Sequence, residues 1–341
     1  MSCPCCTSPR QVLDADPSRC YCCAACGHRW CDAVAIPPID YSKLHGRNPT
    51  EGASRARKLH DRMADISPLL RSGLRVLEIG CAEGSLGLMV RQSVAVEYAG
   101  IELSEDAATA SKVLTRVTRA PAKAMTGETF DLLLSFHVLE HIQDIAGELS
   151  NWRRLLADNG NLLVEVPNQA GHRLLSRDPN PEHTHQFTPA SLTALLHHSG
   201  FEVERLETGH WESSVYSDSL RVLARRALTD TQRRALLLQR FMDRLPKPFA
   251  AWGIGGDFHG YVKPLLDSIP VTALIDNAVL RHGERHGNLA IEAYDPQRHG
   301  SLPILVCSVR YREEILRDMA ALGIAPSRIV TLDEIFGTGQ P

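Results

Sequence analysis

The chain has 341 residues, 43% of them hydrophobic, and its 37 basic side chains against 40 acidic ones give a formal charge of −3. That length exceeds one ordinary core and implies two or three domains. The near-neutral charge, with no long basic run, argues against a nucleic-acid partner; no apolar run is long enough to span a membrane; and with no leader pattern the expected location is cytoplasmic.

Eight of the ten cysteines precede residue 32. Cys3-Pro4-Cys5-Cys6 and Cys23-Ala24-Ala25-Cys26 each contain a C-x-x-C pair, the spacing of the two knuckles of a zinc ribbon. Four thiolates around Zn²⁺ would fold a segment too small to build a core, and they leave no open position for catalysis. The expected ligands are Cys3, Cys6, Cys23 and Cys26, in a ribbon over 1–35. Cys5, Cys22 and Cys31 are alternatives for a place in the set, and a loose cysteine-rich tail is the competing reading. In a reducing compartment none of these cysteines is expected in a disulfide.

Ile36-Pro37-Pro38-Ile39 reads as a stiff connector. Tyr41 to Asn48 is polar and suits a lid, with Tyr41 and His45 as secondary candidate residues; Ser54 to Leu70 follows as a helix, so that 36–70 is linker and lid. Val76 to Ile79 is a short apolar strand running into the glycine-rich turn Gly80-Cys81-Ala82-Glu83-Gly84 and then a helix. Glycine there permits turn angles and close ligand approach. A second strand, Tyr98 to Ile101, ends at Glu102, about twenty residues past the turn, where a carboxylate can grip ribose hydroxyls. Glu78, just before the turn, would repel the pyrophosphate of a dinucleotide but tolerate a cationic ligand.

Phe130 to Ser135 is a buried strand that leads into Phe136-His137-Val138-Leu139-Glu140-His141-Ile142. Ile145, Leu149, Trp152, Leu155 and Leu156 have helical spacing, with Asn159-Gly160 as the stop and Asn161 to Val166 as the next strand. A histidine-bearing loop, Glu182-His183-Thr184-His185-Gln186-Phe187, precedes the helix at Ser191 to Leu196.

From about Gly73 to Thr208 these landmarks closely resemble class I S-adenosylmethionine-dependent methyltransferases. The resemblance implies an α/β, Rossmann-like sheet over 71–208 and a one-carbon transferase. It implies that Glu78, Gly80, Cys81, Ala82 and Gly84 lie along methionine and ribose. Glu102 would bind the ribose, Leu103 the adenine, and Ser135 and Phe136 would sit near the sulfonium. The chain departs from the family at Ala120-Pro121-Ala122-Lys123, which offers no acidic adenine contact. An acceptor hydroxyl or carbon acid needs a base, and a histidine near neutral pKa suits the task. His183 is the first choice, followed by His141 and His137, all beyond the carboxyl ends of parallel strands where such sheets bind ligands.

His210 to Leu245 reads as mostly helical, a helical linker over 209–245 with a basic face of Arg221, Arg225, Arg226, Arg233 and Arg234. A second strand–turn–helix follows: Phe249 to Trp252, Gly253-Ile254-Gly255-Gly256, and Val271 to Ile275 ending at Asp276. Ile304 to Ser308, a helix from Arg312 to Leu322 and Ile329 to Leu332 complete a small Rossmann-like βαβ module over 246–338. Asp276 is placed to meet a ribose; the alternative is a module that only supports its neighbour. Ribbon, methyltransferase core and C-terminal module together resemble the nucleotide-sugar C-methyltransferases, which implies a small-molecule acceptor, a sugar or nucleotide sugar. A ribosomal guanine-type RNA methyltransferase, with the ribbon recognising RNA, is the alternative. A non-enzymatic cofactor-binding scaffold is the third reading.

Overall fold

The computed structural model describes residues 2–9, 11–12, 20–31, 52–171, 180, 182–213, 216–245 and 247–336. The expected connector at 36–39 and the lid with Tyr41 and His45 lie outside the described residues. The chain divides into two compact units, Met1–Ala227 and Leu228–Pro341.

In the first unit, β1 (Gln11–Val12), β2 (Cys20–Cys22) and β3 (Arg29–Cys31) form a small antiparallel sheet. Helix α1 (Gly52–Ile66) follows, and then β4 (Arg75–Ile79), α2 (Ser85–Ser93), β5 (Glu97–Ile101), α3 (Ala107–Ala110) and β6 (Arg116–Thr118). Next come β7 (Phe130–Phe136), α4 (Ile145–Leu155), β8 (Leu156–Pro167), β9 (His185–Gln186), α5 (Pro189–His198), β10 (Phe201–His210) and β11 (Ser219–Arg226). The main sheet has the order β10-β11-β8-β7-β4-β5-β6, parallel from β8 to β6, with β11 antiparallel to both neighbours.

Both faces of this sheet are covered, which is why its central strands are nearly continuous apolar runs. Val76, Leu132 and Leu134 pack with Leu86 and Val90 of α2 on one face. Leu77 and Leu133 pack with Leu149 and Trp152 of α4 and Leu192 and Leu195 of α5 on the other. The N-terminal sheet joins that second face: Cys3, Cys23, Cys26 and Trp30 belong to the same core. Its strand β3 pairs with β9, matching Arg29 with Gln186 and Trp30 with His185. Helix α5 starts at a reciprocal cap: Thr188 Oγ1 accepts from Ser191 N–H while Ser191 Oγ accepts from Thr188 N–H.

Three sequence expectations are corrected. The helix expected to stop at Asn159-Gly160 ends at Leu155, because Leu156 pairs opposite Phe130 and opens β8, so that Asn159 and Gly160 lie within the strand. The helical linker over 209–245 contains a strand instead: Leu220, Val222 and Ala224 alternate into the core of β11, and helix α6 (Asp230–Arg244) starts only after it. The basic face is thereby dissolved, and the sheet continues past 208 to Arg226. Finally, Cys20 and Cys31 are bonded to each other, because they stand directly opposite in the β2–β3 ladder with Cα atoms 4.1 Å apart.

The second unit holds α6, β12 (Phe249–Trp252), β13 (Val271–Ile275), β14 (Arg285–His286), β15 (Leu289–Glu292), α7 (Pro296–His299), β16 (Ile304–Val306), α8 (Arg312–Ala321), β17 (Ile329–Thr331) and α9 (Leu332–Phe336). Its sheet order is β14-β15-β13-β12-β16-β17, parallel except for the β14–β15 pair. A π-helical turn, Phe258–Val262, follows the glycine segment after β12.

Candidate active site

The site begins where β4 ends. Gly80, Ala82 and Gly84 take left-handed φ values of 76°, 46° and 80°. A Cβ on Gly80 would overlap Val138 Cγ2, so glycine is required there by both angle and space. Gly80 and Cys81 donate backbone N–H bonds to Ile101 O at 2.8 and 3.1 Å, tying the turn to the end of β5. Glu102 then reaches back: Oε2 accepts from Ala82 N–H and Oε1 from Ser104 N–H, both at 2.8 Å. Each oxygen retains a second acceptor site for a hydroxyl. Leu103 beside it is exposed. Cys81 is buried, and burial raises its thiol pKa far above the usual range, which removes it as a nucleophile.

Glu78 lies at the base of the pocket. Tyr98 Oη donates to its Oε2 at 2.8 Å, and burial pushes the carboxyl up to about 7. The pocket is lined by this turn and, across from it, by Arg55, Lys58 and Arg62 of α1, with Phe136 and His137 from the end of β7. The Arg62 guanidinium lies 4.3 Å from the Phe136 ring centre. Ser135 is fully buried and its hydroxyl has no hydrogen-bond partner among the described residues.

Sequence reasoning missed a buried ionic network around this pocket. Arg62 pairs with Glu165 at 2.6 Å and Glu212 at 2.8 Å, and Lys58 reaches Glu212 at 2.5 Å. Arg221 pairs with Asp61, Asp65 and Glu165. The available signal was spacing: 55, 58 and 62 fall on one face of α1. Arg55 pairs with Glu83 of the turn, while the acidic partners of Lys58 and Arg62 come from β8 and the segment after β10, which no local pattern connects to α1.

The three candidate histidines differ. His137 has a left-handed φ of 54°. Its Nδ1 is 3.2 Å from Glu140 Oε1, and its Nε2 is 3.4 Å from Glu165 and 3.8 Å from Glu212. Burial alone would lower its pKa, but these carboxylates, Glu140 foremost, outweigh it and raise the ring to about 9. A protonated His137 is an electrostatic partner and not a base. His141 is held below its ordinary pKa by burial, with Nδ1 3.2 Å from Glu182 O. His183 is 5% exposed; its ring meets His141 edge-on at 4.6 Å and lies 5.2 Å from the ring of Tyr216. His185 belongs elsewhere: its Nδ1 is 3.0 Å from His28 Nε2, and burial lowers it to about 4.

Cys3, Cys6, Cys23 and Cys26 come together as one cluster. The Cys3–Cys26 and Cys6–Cys23 sulfur separations are 3.7 and 3.4 Å, close to the ~3.8 Å that Zn–S bonds of about 2.3 Å give in a tetrahedron. Of the three alternatives, Cys31 is bonded to Cys20, and Cys5 and Cys22 stand outside the cluster.

Residues 52–206 match the family described as "Methyltransferase domain". A probable S-adenosylmethionine-dependent methyltransferase of Mycolicibacterium smegmatis is 34% identical over 141 residues, 39% of this chain and 54% of that protein. A ubiquinone biosynthesis O-methyltransferase of Azorhizobium caulinodans is 27% identical over 234 residues, 60% of this chain and 90% of that protein. A crystal structure of magnesium protoporphyrin IX methyltransferase from Synechocystis with bound SAH is 17% identical, covering 55% of this chain and 91% of that one, with a TM-score of 0.42. The chain spans about half the length of the first curated relatives it matches. No helix among the described residues is long and apolar enough to cross a membrane. The family match and the sequence relatives agree that residues 52–206 form a methyltransferase domain similar to those of S-adenosylmethionine-dependent methyltransferases.

Proposed function

We propose that the chain transfers a methyl group from S-adenosylmethionine to a small-molecule acceptor, a sugar or nucleotide sugar, in glycan or natural-product synthesis. The observation that carries this reading is Glu102, held by Ala82 and Ser104 N–H groups at the edge of the glycine turn. In this reading Glu102 accepts from the ribose hydroxyls, Leu103 covers the adenine, and Glu78 faces the methionine ammonium. Arg55 and Lys58 on α1 face its carboxylate. When bound, the sulfonium supplies an electrophilic methyl. The protein must then align the acceptor in line with it, which provides much of the acceleration. His183, on the loop behind His137, takes the acceptor's proton.

The sugar acceptor rests on the three-part architecture of ribbon, core and Rossmann-like module. A small-molecule acceptor is also supported by relatives named ubiquinone biosynthesis O-methyltransferases. The RNA reading loses support because Arg221, Arg225 and Arg226 are engaged by Glu165, Glu202 and Asp158. Cys3, Cys6, Cys23 and Cys26 hold a structural zinc that fixes β3 against β9, and so fixes the loop carrying His183. Thiol-blocking mercurials are expected to release about one zinc per chain and to raise hydrogen exchange in β9; no release removes the zinc.

The test joins calorimetry of S-adenosylmethionine binding with product release over a panel of nucleotide sugars. His183→Ala is expected to lower turnover by about 10²–10⁴-fold with unchanged cofactor affinity. Wild-type turnover in that variant removes His183 from the mechanism, and absence of saturable cofactor heat overturns the reading itself.

A further inference from the structure

The 3₁₀ turn Leu139–His141 after β7 presents Glu140 and His141 side by side, and the loop before β9 brings His183 to them. One ligand atom from each of the three lies within 4.8 Å of the others. Glu140 is fully buried, yet neither of its oxygens accepts a hydrogen bond among the described residues. His137 Nδ1 at 3.2 Å contacts Oε1 as an ion pair without hydrogen-bond geometry, and His183 Nε2 is 4.0 Å away. Protonated His137 balances the charge of Glu140, but both carboxylate oxygens still lack a hydrogen-bond donor, a cost that a further ligand would relieve.

The surroundings fix the other groups as a cation site would need. His141 Nδ1 is 3.2 Å from the carbonyl of Glu182, which favours the tautomer with the lone pair on Nε2. Thr184 Oγ1 donates to the carbonyl of Glu140 at 3.1 Å and pins the His183 loop to the 3₁₀ turn. The other carboxylate–histidine groups nearby differ: Glu165 and Glu212 beside His137 are paired with Arg62, and Asp61 and Asp65 beside His210 with Arg221.

We propose that Glu140, His141 and His183 bind a divalent first-row transition cation beside His137, which itself lines the pocket. Two imidazoles and one carboxylate suit such ions, and three protein ligands leave a position for an acceptor oxygen. Ligand bonds of about 2.1 Å imply spacings of ~3.4 Å in a tetrahedron, so the three groups close by about an ångström on binding. A hydroxyl on the cation has a lowered pKa and loses its proton to water, its electron pair staying on oxygen. This step rests on the proposed methyl transfer and replaces the base role of His183, whose Nε2 lone pair goes to the metal. Cation binding itself does not depend on that reading.

Titration of the purified full-length chain with Co²⁺ tests the site. The expected spectrum gains weak ligand-field bands without thiolate-to-cobalt charge transfer, saturating at about one per chain. Glu140→Gln and His183→Asn are expected to weaken that binding at least about tenfold while the zinc-filled cysteine cluster gives no cobalt bands in either variant. Only thiolate-type bands in the wild type, or variants that titrate like the wild type, overturn the proposal. Should one variant fail to fold, the wild-type spectrum and the other variant decide. Cofactor heat recorded on the same samples reports separately on the methyltransferase reading.

Discussion

At the end of β4 the chain turns through Gly80, and Glu102 at the end of β5 accepts from Ala82 N–H at 2.8 Å and from Ser104 N–H at 2.8 Å. At the end of β12 it turns through Gly253, and Asp276 at the end of β13 accepts from Ile254 N–H at 2.8 Å and from Ala278 N–H at 2.9 Å. In both sheets a third parallel strand, β7 or β16, flanks the turn strand on its other side. The backbone plan is the same, and the side chains above it are not. Arg281 donates to Ile254 O and stands 3.6 Å from Asp276 Oδ2, covering the carboxylate. Among the described residues no arginine covers Glu102 in that way. The strand β7 runs out into His137, Glu140 and His141, whereas β16 runs out into Ser308, Val309 and Tyr311, the last two exposed. The strand–glycine–acid pattern is thus common to both sheets, and what stands over the carboxylate differs between them.

The largest contrast should come from the glycines. Gly80→Ala adds a Cβ at a left-handed φ and against Val138, and is expected to cost about 2–4 kcal/mol of stability in denaturant unfolding. Gly253→Ala, the matching change in the second turn, is also at a left-handed φ of 88° but brings its Cβ only to 3.0 Å from Ile315 Cδ1, and is expected to cost less, about 1–2 kcal/mol. Equal effects would mean that the two turns are alike after all. Next comes the acid. Glu102→Ala is expected to weaken S-adenosylmethionine binding by about 1–3 kcal/mol, the scale of hydrogen bonds to a charged group. Asp276→Ala should leave that affinity unchanged, and calorimetry showing the reverse would move the cofactor to the C-terminal module.

Most of this frame was legible in the sequence. The strands at Val76–Ile79, Tyr98–Ile101 and Phe130–Phe136 announce themselves as apolar runs bounded by glycine or acid, and the paired C-x-x-C motifs gather as expected. Tertiary pairing overrode local pattern in two places. Asn159-Gly160 has the chemistry of a helix stop, but Leu156 already pairs with Phe130 across the sheet. Arg221 looks like surface charge because the carboxylates that bury it, Asp61, Asp65 and Glu165, lie far away in sequence. Arg281 failed to register for the same reason: its partner Ile254 O is a backbone atom 27 positions earlier.

Glu78 supplies a pH test that the second turn cannot mimic, since Ala251 rather than an acid stands two residues before Gly253. Its folded pKa of about 7 lies above the ordinary 4.5, raised by burial. In the ligand-free fold its contribution to stability is full below pH 4.5 and is lost as pH rises towards 7. A cofactor ammonium beside it reverses the balance by favouring the carboxylate. Binding at pH 7 is then expected to release about half a proton, and affinity to fall by up to about tenfold per unit as pH drops below that value. Calorimetry in buffers of different ionisation heat reads the release directly. Glu78→Gln should abolish it, and its persistence in that variant would assign the proton to another group.

The smallest effect belongs to Arg281. Its side chain is partly exposed and it also pairs with Glu284 at 3.2 Å, so the ion pairs are screened and Arg281→Ala should cost no more than about 1 kcal/mol in thermal unfolding. The informative readout is ligand binding. The variant leaves Asp276 bonded to Ile254 and Ala278 as before and removes only the cover. If the cover alone separates the two turns, adenosine should bind weakly to Arg281→Ala and not to the wild type. If neither binds, the exposed Val309 and Tyr311 at the end of β16, and not Arg281, mark the deeper difference between the modules. Binding by the wild type itself would show that the arginine yields to a ligand and that both turns work.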